Sequence, residues 1–133
     1  MADLTIGSIA LTSSRARPTT ALAGETIAIG DLVYLDSATS TYMKADASAA
    51  ASAEVAGIAV TGGALNEYIL IQSNESLDIG ATMVKGTPYY LSATAGKICP
   101  HGDLVSTNVV TLIGHASSTS ALDLSITKTG IVI

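Results

Sequence analysis

Histidine, cysteine and carboxylate side chains are the groups here that could do chemistry, and their spacing suits no reaction well. His101 and Asp103 share the loop Pro100-His101-Gly102-Asp103 and could give a metal two ligands. Nothing nearby adds ligands at a workable spacing, so a solvated loop is expected. His115 falls on an expected strand and reads as a satisfied or edge histidine. Cys99 is the sole cysteine. It lacks a flanking base and any protease-like signature, so a buried structural thiol is expected. The carboxylates are scattered: Glu25, Asp31 and Asp36 early, then Glu75, Asp78 and Asp103. Glycoside hydrolysis needs two of them facing one cleft. Carbohydrate sites also favour aromatic platforms, and the chain has five Tyr but no Trp or Phe. Gly62-Gly63 follows neither the dinucleotide nor the P-loop pattern. No catalytic residue, cofactor or metal site is expected, and an enzyme is not the expectation.

The totals point the same way. A chain of 133 residues reads as one domain and buries roughly two thirds of its unfolded surface. Hydrophobic residues make up 48% of it, nearly all aliphatic, which favours sheet packing over an aromatic-lined cavity. Six Lys+Arg stand against eleven Asp+Glu, a net charge of −5. That balance lacks the basic footprint of a nucleic-acid binder. Mean hydropathy is +0.49, an excess that interfaces between subunits would absorb. No run reaches the ~18 apolar residues of a membrane span. Met1-Ala2-Asp3-Leu4 has neither a basic n-region nor a continuous apolar stretch, so no secretory signal is expected and synthesis in a reducing cytoplasm fits.

Short strands separated by turn residues account for most of the chain. Residues 1–20 read as an extended N-terminal arm. Leu4, Ile6, Ile9 and Leu11 could form short strands in it, and residues 12–20 are polar linker around Pro18. The arm suits a role across a neighbouring subunit or on the surface where the protein sits, with a frayed terminus as the alternative. Arg15 and Arg17 do not amount to a nucleic-acid patch; two cations in a polar arm suit an acidic partner surface. From residue 21 a single β domain is expected. Asp36-Ser37-Ala38-Thr39-Ser40 has hairpin length. Residues 46–54 are the one helix candidate, N-capped by Asp46 but short and Ser-broken. Gly57 marks a bulge or a close backbone approach. Ile131-Val132-Ile133 would be an aggregation hazard if left bare, so pairing into a sheet is expected. About ten short strands indicate an all-β fold, a small β-barrel or β-sandwich.

Two stretches repeat one another. Glu25-Thr26-Ile27-Ala28-Ile29-Gly30 matches Glu75-Ser76-Leu77-Asp78-Ile79-Gly80, Tyr34-Leu35 matches Tyr90-Leu91, and Val55-Ala56-Gly57-Ile58-Ala59 matches Leu112-Ile113-Gly114-His115-Ala116. A duplicated β unit is expected, with pseudo-repeats at about 24–72 and 74–133; chance similarity between Ala- and Gly-rich β segments is the alternative.

Three of these passages resemble the small capsid decoration (cement) proteins of tailed bacteriophages. They are residues 23–35, then Leu77-Asp78-Ile79-Gly80-Ala81-Thr82 with the run 86–96, and Leu122-Asp123-Leu124-Ser125-Ile126 leading to Gly130-Ile131-Val132. The likeness covers about residues 20–133 and rests on turns rather than catalytic signatures. It implies a β-barrel-like subunit assembled as a homotrimer on the outside of an icosahedral head. There it would bridge neighbouring major capsid proteins, without nucleic acid or membrane as partner. The protein would be made in the host cytoplasm and reside on the capsid exterior of the virion. Candidate capsid or subunit contacts are Leu4, Ile6, Arg15, Arg17, Ile131 and Ile133. A tail or head-fibre component, or a small-ligand or carbohydrate-binding β module, is the alternative.

Overall fold

A computed structural model describes residues 3–4, 6, 9–11 and 18–133, the side chains of Leu11 and His101 excepted. Among them lie eleven strands: β1 (Ala10–Leu11), β2 (Thr19–Leu22), β3 (Leu32–Asp36), β4 (Thr41–Lys44), β5 (Val55–Ala59), β6 (Tyr68–Gln72), β7 (Asn74–Asp78), β8 (Pro88–Leu91), β9 (Ile98–Pro100), β10 (Val109–Ala116) and β11 (Ala121–Val132). One 3-10 turn, His101–Asp103, is the sole helical element among the described residues. The fold is all-β, as the strand and turn pattern implied.

The strands form two antiparallel sheets, ordered β1-β7-β11-β10-β8-β9 and β2-β6-β5-β3-β4. Neither is closed into a barrel, although a parallel bridge from Ala23 to Tyr42 draws the end of β2 towards β4. The barrel-or-sandwich alternative therefore resolves to a sandwich. Setting β1 aside, each sheet contains five consecutive strands in one and the same order: first, fifth, fourth, second, third. The registers agree as well. Leu32 faces Ile58, Val33 faces Gly57 and Tyr34 faces Val55 in one sheet. Pro88 faces His115, Tyr89 faces Gly114 and Tyr90 faces Leu112 in the other. The ladder slips beside the glycine in both. An added Cβ there would lie 2.8 Å from the Gln72 carbonyl oxygen at Gly57 and 2.2 Å from that of Asp123 at Gly114. A side chain would collide with the neighbouring strand, so glycine is required at both bulges.

The tyrosine and glycine matches thus mark equivalent positions, but the opening match does not. Glu75 lies inside β7, whereas Glu25 follows β2. The first set begins with β2 at Thr19, upstream of residue 24, and residues 19–20 belong to a sheet rather than to an arm.

The two sheets stack unequally. Leu32, Val55 and Ile58 on one face of the five-stranded sheet join Leu77, Tyr89, Leu91, Ile113 and Leu122 of the other in the main core. By register, Tyr89 and Leu122 correspond to Val33 and Ile71, which lie on the opposite face of the first sheet. There they pack with Ala21, Ala23, Ile27, Ala59 and Ile69 in a second, smaller core. The inner face of one unit therefore covers the outer face of its double, head to tail.

Main-chain bonds fasten the junction. Leu32 N donates to Gly96 O (2.9 Å), Gly96 N to Ala45 O (2.7 Å), Ala47 N to Ser92 O (2.9 Å) and Val109 N to Ala47 O (2.8 Å). The buried Thr111 hydroxyl donates to Ala53 O at 2.9 Å. Asp31, 3% exposed, accepts from Ala28 N and lies 3.7 Å from Lys97 Nζ. Aliphatic packing crossed by backbone hydrogen bonds leaves little freedom for the units to move apart.

Residues 46–54 form successive turns instead of a helix. Asp46 Oδ1 accepts from Ser48 N at 2.9 Å, from the Ser48 hydroxyl, and from the Ser52 hydroxyl at 3.1 Å. Side chains that bind local backbone offer it an alternative to helical bonding.

Candidate interaction surface

The groups with chemical potential are dispersed. Cys99 is 1% exposed. Burial pushes its thiol up to about 11 from an ordinary 9.0; the charges of Asp3 and Asp103 add to the rise and a hydrogen bond with Ser92 opposes it. A folded-state value above the unfolded one favours the folded chain below about pH 9, and that advantage is lost as pH rises towards 11. Near neutral pH the folded protein should alkylate at Cys99 at least about a hundredfold more slowly than the urea-unfolded chain, since two pKa units remove that much thiolate. Iodoacetamide labelling followed by mass spectrometry measures this, and equal rates would place the thiol at the surface.

His115 lies on the exposed face of β10, its Nε2 3.8 Å from Asp123 Oδ2 on β11, the residue opposite it in the ladder. The His101 side chain lies outside the described residues. Several carboxylates accept hydrogen bonds from backbone amides. Glu25 accepts from Lys44 N, Asp36 from Ala38 N and Asp78 from Gly80 N. Among the described residues no group of three or more His, Cys, Asp or Glu could hold a metal ion. Nor, among the described residues, is any helix long and apolar enough to cross a membrane.

The residues singled out as contacts divide sharply. Leu4 N donates to Ile98 O at 2.9 Å, tying the N-terminal segment to β9. Ile6 packs beside the Gly30 turn, whose φ of +88° is open to glycine. β1 pairs with β7, Ala10 opposite Asp78. Within the five repeated strands of its sheet, β9 lies at one edge and β7 at the other, so the segment touches both. Leu4, Ile6 and Ile9 pack against the main core. The described part of this segment thus straps the protein's own sandwich. Arg15 and Arg17 lie outside the described residues.

The other end is different. β11 runs to Val132, but β7 accompanies it only from Ala121 to Ser125. Beyond that, among the described residues, β10 alone pairs with it, Thr111 opposite Lys128 and Val109 opposite Val132. Residues 127–133 are all exposed. Ile131 is 62% exposed, Val132 59% and Ile133 49%, and Val105 close by is 61% exposed. Pairing therefore happened as expected, yet it left the apolar side chains bare.

This ribbon end is nevertheless held in place. Thr129 Oγ1 donates to Val110 O (2.6 Å) and accepts from Ile131 N (3.1 Å). Lys128 Nζ lies 3.3 Å from Glu54 Oε2. Ile133 N donates to Asn108 O and Thr107 N to Ile133 O. Asn108 Oδ1 in turn accepts from Val105 N. Val105 also lines an open cleft of about 620 Å³ with Asp3, Ser92, Ala93, Thr94, Gly102 and Asp103. Neither Val105 nor Asp3 was identifiable in the sequence as part of this surface, because loop 101–108 meets the N-terminal segment only through the fold.

No protein-family model matches the chain, and no curated protein matches its sequence significantly.

Proposed function

We propose that this chain is a structural virion protein that binds the outer surface of a tailed-phage capsid and cements it by bridging neighbouring major capsid proteins. The observation that carries the reading is the ribbon end, apolar over its last three residues, on a packed two-sheet body. Ile131, Val132 and Ile133 are bare and held by specific hydrogen bonds, as suits a contact made elsewhere. The resemblance of residues 20–133 to capsid decoration proteins supplies the partner, and on that likeness the working form is a homotrimer on the capsid exterior.

Cementing follows from mass action. A ligand that binds only the expanded lattice stabilises it by its binding free energy. Summed over many equivalent sites, modest contacts per subunit suffice, and trimerisation raises effective concentration. The test is co-sedimentation of purified protein with expanded heads built from the major capsid protein of the same phage. Saturable binding is expected to expanded heads and not to unexpanded shells. No binding, or equal binding to both, overturns the reading.

A further inference from the structure

On the capsid-binding reading the bare end of β11 makes the contact, and its surroundings bear on what it receives there. Three features converge at one end of the larger sheet. First, β11 beyond Ser125 has a ladder partner on one side only among the described residues, so an edge of backbone donors and acceptors accompanies its bare side chains. Second, Ile131 and Val132 end the strand and Ile133 follows it, and all three are exposed, so solvent reaches both faces of this end. A flat surface covers one face of a strand; an extended segment alongside it, with side chains to either face, covers both. Third, Val105 joins this apolar end to the cleft that Asp3 and Asp103 line.

Resting on that reading, we propose that the end of β11 receives an extended segment of the capsid protein as an added strand. The apolar side chains of that segment cover Ile131, Val132 and Ile133, and a Lys or Arg it carries enters the cleft beside Asp3 and Asp103. Charge selects this occupant over a second copy of the chain. The protein has six Lys+Arg against eleven Asp+Glu. Two of those cations, Lys97 and Lys128, already lie beside the chain's own Asp31 and Glu54. A segment that carries Lys or Arg complements Asp3 and Asp103 at this end.

The experiment compares binding to expanded heads by wild type, Ile131→Asp/Ile133→Asp, Asp3→Asn/Asp103→Asn, and Leu35→Asp as a control on an exposed side chain of the smaller sheet. Thermal melts and native mass spectra are recorded for each. The isoleucine pair should bind at least about tenfold more weakly, as expected for losing a central apolar anchor. The aspartate pair should weaken binding by a smaller factor. It should also flatten the loss of affinity that wild type shows between about 0.05 and 0.5 M salt, because the screened charge pair is gone. Leu35→Asp should bind as wild type does. If wild type binds and the isoleucine pair binds equally well with an unchanged melt, the surface is wrong and the capsid reading stands. If the isoleucine pair changes the oligomer and not the capsid affinity, the occupant is a second copy and the proposal is overturned. If wild type does not bind, both the reading and the proposal fall.

Discussion

Gly114→Ala should destabilise the protein by at least about 3 kcal/mol, lowering the melting temperature by roughly 10 °C, while Gly102→Ala should leave it unchanged. The two glycines differ in what surrounds them. A Cβ at Gly114 would lie 2.2 Å from the Asp123 carbonyl oxygen and 3.0 Å from its carbon, whereas one at Gly102 meets nothing within 4 Å. The obstacle at Gly114 is backbone of the adjacent strand, so relief requires opening the β10–β11 ladder at the centre of the larger sheet. Gly57→Ala should fall between them, since the equivalent contact with Gln72 is 2.8 Å. Urea and thermal melts followed by far-ultraviolet circular dichroism give the order. Equal melting temperatures for Gly114→Ala and Gly102→Ala would mean that the duplicated bulge is not a steric requirement.

The second large effect is expected from the N-terminal strap. Truncating Leu4, Ile6 and Ile9 together to alanine should cost about 3 kcal/mol, roughly 1 kcal/mol for each partly buried side chain. These residues pack on the main core, and their segment reaches both β9 and β7. Changes at Ile131 and Ile133, which are 62% and 49% exposed, should leave the melt almost unaltered. The contrast matters for capsid binding. Deleting residues 2–11 would loosen the body itself, so weaker binding by such a variant would report lost folding rather than a lost contact. The reading of the whole arm as a reach towards a neighbour therefore does not extend to Leu4 and Ile6, whose contacts are internal. A triple variant that melted like wild type would show the strap to be dispensable.

Which features were legible in the sequence follows from the range of the forces involved. Alternating β-branched residues and the turn at 36–41 are local, and the all-β class followed from them. Gly57 and Gly114 were legible because a bulge with no room for a side chain leaves a glycine at a fixed place in each unit, and Tyr34 and Tyr90 share its register. The match between Glu25 and Glu75 misled, because similar residues serve in a connection in one unit and in a strand in the other. Residues 46–54 looked helical by alanine content, but Asp46 and its serines bind local backbone and turn the chain instead. The strap, the head-to-tail stacking and the convergence of Asp3, Val105 and Ile133 depend on contacts between distant residues, which no local pattern encodes. Pairing of the Ile131–Ile133 stretch was foreseeable from its β-branched side chains; its continued exposure was not, because that depends on β7 stopping short.

The central claim is that the protein adds stability to a capsid lattice. Scanning calorimetry of expanded heads, with and without saturating protein, tests it most directly. The account predicts a higher capsid transition temperature that climbs with occupancy and reaches a plateau when the sites are filled. An unchanged transition at saturating protein would contradict it.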